Sequence, residues 1–237
     1  MIKERLVEYH HHGVTLEGLL AYDDTIAGAR PGVLVSHAWG GRGAFECNKA
    51  RALAELGYAG FALDLYGKGV LGGNPEENTR LMTPFLEDRS LLQSRLSLAL
   101  ATMQTQDEVD ANRCAAIGFC FGGLCVLDLA RIGTDIKGVV SFHGLFNPPG
   151  NTEGAKIKAR VLALHGNEDP MVPVDAVTAL ENELTAAGAD WQIHVYGKTM
   201  HAFTNPEANM AGMGLMYNAA ADRRSWQTMK NFLEEIF

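Results

Sequence analysis

Long apolar runs are missing from this chain of 237 residues. The longest uncharged, largely apolar stretch, Cys114 to Leu127, has 14 residues, whereas a bilayer span needs about 20. It reads instead as a buried strand followed by a helix, and no membrane partner is expected. The opening residues, Met1-Ile2-Lys3-Glu4-Arg5, lack the apolar segment of a secretory leader. Cysteine is scarce, and Cys47, Cys114, Cys120 and Cys125 form neither a paired zinc motif nor a CxxC redox motif. Free thiols without an export signal point to a reducing cytoplasm. Positive charge is in deficit, with 20 Lys and Arg against 28 Asp and Glu and a formal net charge of −8. No dense basic cluster offsets it, so nonspecific nucleic-acid binding is not expected. Internal repeats, low-complexity tracts and clear linkers are also absent, and one domain over residues 1–237 is the preferred reading.

Short apolar strands alternate with helical patterns along the chain. Leu6 to Tyr22 holds two polar-apolar alternations around Gly13 and predicts an antiparallel hairpin at a sheet edge. His10-His11-His12 lies within it. Three adjacent strand residues cannot all face one ion, so a strand or turn role is preferred to a metal site. Val33-Leu34-Val35, Phe61-Ala62-Leu63, Ala115-Ala116-Ile117, Val139 to Phe142, Val161 to Leu164 and Trp191 to Tyr196 read as further strands. Helical spacing marks Glu46 to Leu56, about Pro84 to Gln104, Gly122 to Ile132, Val174 to Ala187, and about Ala220 to Phe237. In the last of these, Trp226, Met229, Phe232, Leu233 and Ile236 form the inner stripe. This order predicts an α/β fold with a mostly parallel sheet covered on both faces.

The chemistry-bearing segment is Gly118-Phe119-Cys120-Phe121-Gly122-Gly123. It has the form G-x-nucleophile-x-G at a strand-to-helix turn, with cysteine at the apex. A sharp turn there needs small residues two positions to either side, supplied by Gly118 and Gly122. The following helix aims its N-terminal N–H groups at the sulfur and favours thiolate. A thiol nucleophile needs a base, and the base needs an orienting carboxylate. Asp169 follows one strand in His165-Gly166-Asn167-Glu168-Asp169-Pro170, and His201 follows the next in His201-Ala202-Phe203. The order nucleophile, acid, histidine, each beyond its own strand, is that of a catalytic triad. Glu168 is the alternative carboxylate. The oxyanion-hole donors expected are the backbone N–H groups of Phe121 and Trp39.

These segments resemble the dienelactone hydrolase (carboxymethylenebutenolidase-like) family. The resemblance extends through Pro31 to Val35 and Ala54 to Gly67 and covers most of the chain. It implies an α/β-hydrolase fold without a large cap. It also implies a lactone or ester as small-molecule substrate, a thioester-like acyl-enzyme, and no metal or organic cofactor. Two positions depart from the family pattern. Ala38 stands where members commonly place a thiol-activating glutamate, with His37 beside it as a substitute. Asn205 stands where the characterised enzymes have a carboxylate-binding arginine, and Arg80 matches the other such arginine loosely. His37, Arg80 and Asn205 are therefore the candidate substrate-binding residues. Ala38 and Asn205 also leave open a catalytically weakened protein that only binds small molecules. A cysteine redox sensor ranks last, because no resolving cysteine is evident near Cys120.

Overall fold

The structure is a computed structural model describing residues 1–237, and they form two compact units, Met1–Ile117 and Gly118–Phe237. In the first unit, β1 (Ile2–His11) and β2 (Val14–Asp23) form the antiparallel hairpin. His12 and Gly13 close it in two residues with φ of 47° and 81°, the geometry that matches strand twist. Their positions settle the local roles of the histidines. His11 is buried with Nε2 on Ser94 Oγ at 2.8 Å, while His10 meets Thr15 Oγ1 at 3.3 Å. Charged residues on the outer strand, among them Lys3, Glu4, Arg5 and Glu8, discourage further pairing.

Within this unit the strand order is β1-β2-β4-β3-β5, with β3 at Arg30–Ser36, β4 at Ala59–Ala62 and β5 at Val109–Phe119. β3 and β4 pair in parallel, Leu34 opposite Phe61. Val33, Leu34 and Val35 are all fully buried, as a strand covered on both faces requires. Helix α1 (Ala44–Glu55) begins at Gly43, where Glu46 folds back to accept that residue's N–H.

The expected helix from Pro84 to Gln104 is two helices, α2 (Pro75–Glu87) and α3 (Arg89–Gln104). Asp88 ends the first and caps the second, with φ of −115° and its carboxylate accepting the Leu91 N–H at 3.0 Å. Apolar periodicity runs past such a break because it counts side chains, whereas the break is made by one capped backbone residue. The start of α2 carried a local signal, Asn74 as N-cap before Pro75 at N1.

In the second unit, β6 (Gly138–Phe142), β7 (Arg160–Gly166) and β8 (Trp191–Tyr196) are consecutive parallel neighbours. Helix α4 (Phe121–Arg131) is buried on every side, including Asp128 and Arg131. Burying a leucine or valine such as Leu124 or Val126 contributes roughly 1.5–3 kcal/mol each. The buried Arg131 is matched by two bonds to Glu183 at 2.7 Å, which ties α4 to α5 (Val174–Ala186). Helix α6 (Ala219–Ile236) buries Ala221, Ser225, Met229, Phe232 and Leu233, while Trp226 and Ile236 of the expected inner stripe are half-buried. A short hairpin, β9 (Asn209–Met210) and β10 (Leu215–Met216), lies in a stretch where no strand was expected. Two-residue strands are too short to show a period of two. No helix is long and apolar enough to cross a membrane.

Candidate active site

Cys120 stands between β5 and α4 with φ of 56° and ψ of −117°. A non-glycine residue in such a region costs on the order of 1–3 kcal/mol and persists only when its surroundings hold it there. The surroundings are visible. The Cys120 N–H is shared between Phe142 O at 3.0 Å and His143 Nδ1 at 3.1 Å. A Cβ on Gly118 would lie 1.9 Å from Gly122 O, so the strand passes the helix too closely for any side chain. A Cβ on Gly123 would lie 2.6 Å from the Gly144 Cα, which packs the start of α4 onto the loop after β6.

Asp169 is buried at the turn after β7. Its Oδ2 lies 2.7 Å from His201 Nδ1, and its Oδ1 accepts the Met171 N–H at 2.9 Å. One oxygen is thereby held while the other serves the imidazole. Glu168, the alternative carboxylate, is exposed, and its N–H donates to Thr199 O at 2.9 Å. His201 is completely buried. Its backbone is pinned on both sides, N–H to Gly214 O at 2.9 Å and carbonyl to the Met216 N–H at 3.0 Å. The β9–β10 hairpin therefore serves to fix this residue.

Burial works against a charge on His201. Cys120 and the bonded Asp169 carboxylate more than reverse that effect, and the imidazole is pushed up to about 10. Its Nε2 is buried and makes no hydrogen bond. The sulfur of Cys120 supplies the strongest influence holding its proton. Cys120, His201 and Asp169 all lie in the second unit, and Cys120 and Asp169 are the two groups that raise His201. His165, at the end of β7, is buried and shifted down by that burial.

The remaining candidates have separate settings. Asn205 accepts the Glu207 N–H with its side chain at 3.0 Å, a turn-forming role. In the first unit, Arg80 is exposed on α2. His37 has Nδ1 at 2.7 Å from Ala38 O and accepts the Leu65 N–H with Nε2 at 3.2 Å. Both ring nitrogens are thus engaged by backbone. The Trp39 carbonyl accepts the Tyr66 hydroxyl at 3.0 Å. Ala38 carries no carboxylate, but the buried Glu46 accepts its N–H at 3.2 Å. Phe121, the expected oxyanion donor, is the first residue of α4. No group of three or more His, Cys, Asp or Glu side chains is arranged to hold a metal ion.

One residue in contact with Cys120 was not singled out from sequence. His143, after β6, is buried and bonds both the Cys120 N–H and Thr204 Oγ1. Nothing in the surrounding Phe142-His143-Gly144 marks it, because its partners lie 23 and 61 residues away.

A strand-to-helix elbow at Cys120, parallel neighbouring strands in each unit and flanking helices define the α/β-hydrolase class. Within that class the sequence profile of the dienelactone hydrolase family matches residues 16–237, and the chain belongs to that family. It is accordingly a hydrolase of the lactone and ester type. A solved structure named m3DLH is 39% identical with a TM-score of 0.95, covering 100% of this chain and 99% of its own. Another is described as P91, a dienelactone hydrolase-like promiscuous phosphotriesterase from metagenomic libraries. It is 35% identical, with a TM-score of 0.94 over 100% of this chain and 99% of its own. A Synechocystis protein provisionally assigned as a carboxymethylenebutenolidase is 28% identical over 247 aligned residues, 98% of this chain and 97% of its own.

Proposed function

We propose that the chain hydrolyses lactones or activated esters through a Cys120–His201–Asp169 triad and a thioester acyl-enzyme. The single observation that carries this reading is the buried 2.7 Å bond from His201 Nδ1 to Asp169. It leaves the other nitrogen of the same imidazole under the influence of the elbow cysteine. Asp169 orients the imidazole, and His201 takes the Cys120 thiol proton or stabilises the thiolate.

The thiolate attacks the carbonyl carbon and forms a C–S bond. The Phe121 N–H, at the positive end of α4, receives the developing oxyanion. Trp39 N–H is proposed as the second donor on its sequence position alone. Collapse of the adduct breaks the C–O bond, and the His201 proton passes to the leaving oxygen. The neutral imidazole then takes a proton from water, and the resulting hydroxide attacks the thioester carbon. The C–S bond breaks and the thiolate–imidazolium pair is restored. In a lactone the acid and alcohol products stay in one molecule.

Thiolate leaves readily, so an adduct with a poor leaving group reverts to substrate. Lactones, enol and aryl esters, and thioesters are therefore favoured over unactivated amides. Rapid quench and intact-protein mass spectrometry on an aryl ester test the scheme. The expected result is a protein heavier by one acyl group, with the acyl group on Cys120, and no such species from Cys120→Ala. Full turnover by Cys120→Ala would sink the triad. Because one relative is described as a phosphotriesterase, an aryl phosphotriester belongs in the same panel.

A further inference from the structure

The loop after β6 places a second histidine against the backbone of the proposed nucleophile. His143 has a φ of 38°, a left-handed conformation that is uncommon away from glycine. It is 2% exposed and its own N–H donates to Leu164 O at 2.8 Å. Its Nδ1 accepts the Cys120 N–H at 3.1 Å. A nitrogen that accepts a hydrogen bond carries no proton, so the proton of this imidazole sits on Nε2. Nε2 lies 2.8 Å from Thr204 Oγ1, which then accepts. Thr204 is three residues beyond His201 and is itself 1% exposed.

The ring also packs edge-to-face against two residues of the base loop. Its centroid lies 5.2 Å from that of His201 and 4.9 Å from that of Phe203. One imidazole therefore touches the nucleophile's main chain with one nitrogen, the base-bearing loop with the other, and the base with its ring. Neither nitrogen is presented to a substrate, which excludes a general acid or base role. What the arrangement does is set distance and angle between sulfur and imidazole. Without His143 the Cys120 N–H would keep Phe142 O at 3.0 Å as its remaining acceptor, and the strained backbone that carries the sulfur would be held by one bond in place of two.

We propose that His143, as the Nε2–H tautomer, is a positioning residue that clamps the Cys120 elbow to the His201 loop through Thr204. This rests on the triad reading above. Misplacement of reacting groups by about 1 Å can cost on the order of a hundredfold in rate.

The test compares His143→Leu, His143→Asn and Thr204→Val with the parent protein, using an aryl ester well below the melting temperature of each. Asparagine keeps an acceptor near the Nδ1 position and tolerates left-handed backbone, whereas leucine keeps only bulk. The expected result is a kcat loss of roughly tenfold to a hundredfold in His143→Leu with KM within about threefold. His143→Asn should recover most of that loss, and Thr204→Val should lose kcat without a matching change in KM. Equal losses in the leucine and asparagine variants, or a parental kcat in the folded leucine variant, would overturn the clamp. If the leucine variant does not fold, a parental kcat in Thr204→Val overturns it. Histidine 15N spectra of the parent should show His143 Nδ1 unprotonated at neutral pH, and a proton there would also overturn it. Cys120→Ala, assayed in parallel, separates the two readings. If it is active the triad fails, whereas if it is inactive and the His143 variants are unimpaired only the clamp fails.

Discussion

His37, beyond β3 in the first unit, and His201, beyond β8 in the second, are both fully buried. Their protonation is pushed in opposite directions. Burial lowers His37, and the backbone bond to Ala38 with the charges of Glu46 and Asp64 only moderates that shift. Burial opposes the charge on His201 as well, yet Cys120 and Asp169 raise it to about 10. The lesson is that burial alone does not make a histidine neutral or chemical. What decides is the partner on each ring nitrogen. Backbone on both sides makes His37 a structural clip. A carboxylate on one nitrogen and the influence of Cys120 raise His201, the group proposed above as the proton carrier.

The comparison breaks most visibly under substitution. His201→Ala should reduce kcat/KM for an aryl ester by at least about a thousandfold, measured by initial rates on protein whose circular dichroism matches the parent. A loss of only a few-fold would remove the distinction between the two histidines. Asp169→Asn should cost roughly a hundredfold to ten-thousandfold by losing control of the tautomer.

Thiol chemistry sharpens the contrast next. Cys120 should be alkylated by iodoacetamide at least about tenfold faster than Cys47, Cys114 and Cys125 at neutral pH. The last three are buried, and burial pushes Cys114 up to about 11. Peptide mapping after a short pulse reads the order directly.

Proton titration then tests the cause. In Cys120→Ala the His201 value should fall well below about 10, because the strongest raising influence has gone. An unmoved value in a histidine NMR titration would contradict the assignment. The associated stability has opposite signs at the two sites. For His201, raised above 6.5, the bound proton's contribution is complete below pH 6.5 and is lost as pH climbs through about 10. For His37, lowered below 6.5, stability is complete above pH 6.5 and is lost as pH falls through its folded value. Urea titrations of single variants across pH distinguish the two slopes.

The smallest effect belongs to the clip. His37→Leu leaves the Leu65 N–H without its acceptor in a buried place. About 1–3 kcal/mol of stability should be lost, seen as a lower urea midpoint at unchanged slope.

Local geometry explains what could be read in advance. Trp191 to Tyr196 occurs as a strand with the expected limits, and the N-terminal hairpin turns at Gly13. Both are governed by near neighbours in the chain. The elbow was legible for the same reason, since Gly118 and Gly122 bracket Cys120 within five residues. Asp169 and His201 were legible only as residues beyond strands. Their 2.7 Å bond spans 32 positions. The division of α2 from α3 escaped because Asp88 acts through one backbone angle that leaves the apolar rhythm intact. His143 escaped because its partners Cys120 and Thr204 lie 23 and 61 positions away.

The order of strands and helices, the cysteine at a strand-to-helix turn and the family resemblance were determined by sequence, because each depends on residue types at short spacing. Tertiary structure alone decided which carboxylate meets His201, which buried histidine is raised and which is lowered, and that His143 accepts the Cys120 N–H. Those outcomes depend on distances of a few ångströms between residues far apart in the chain, where an electrostatic influence or a hydrogen bond is either made or lost.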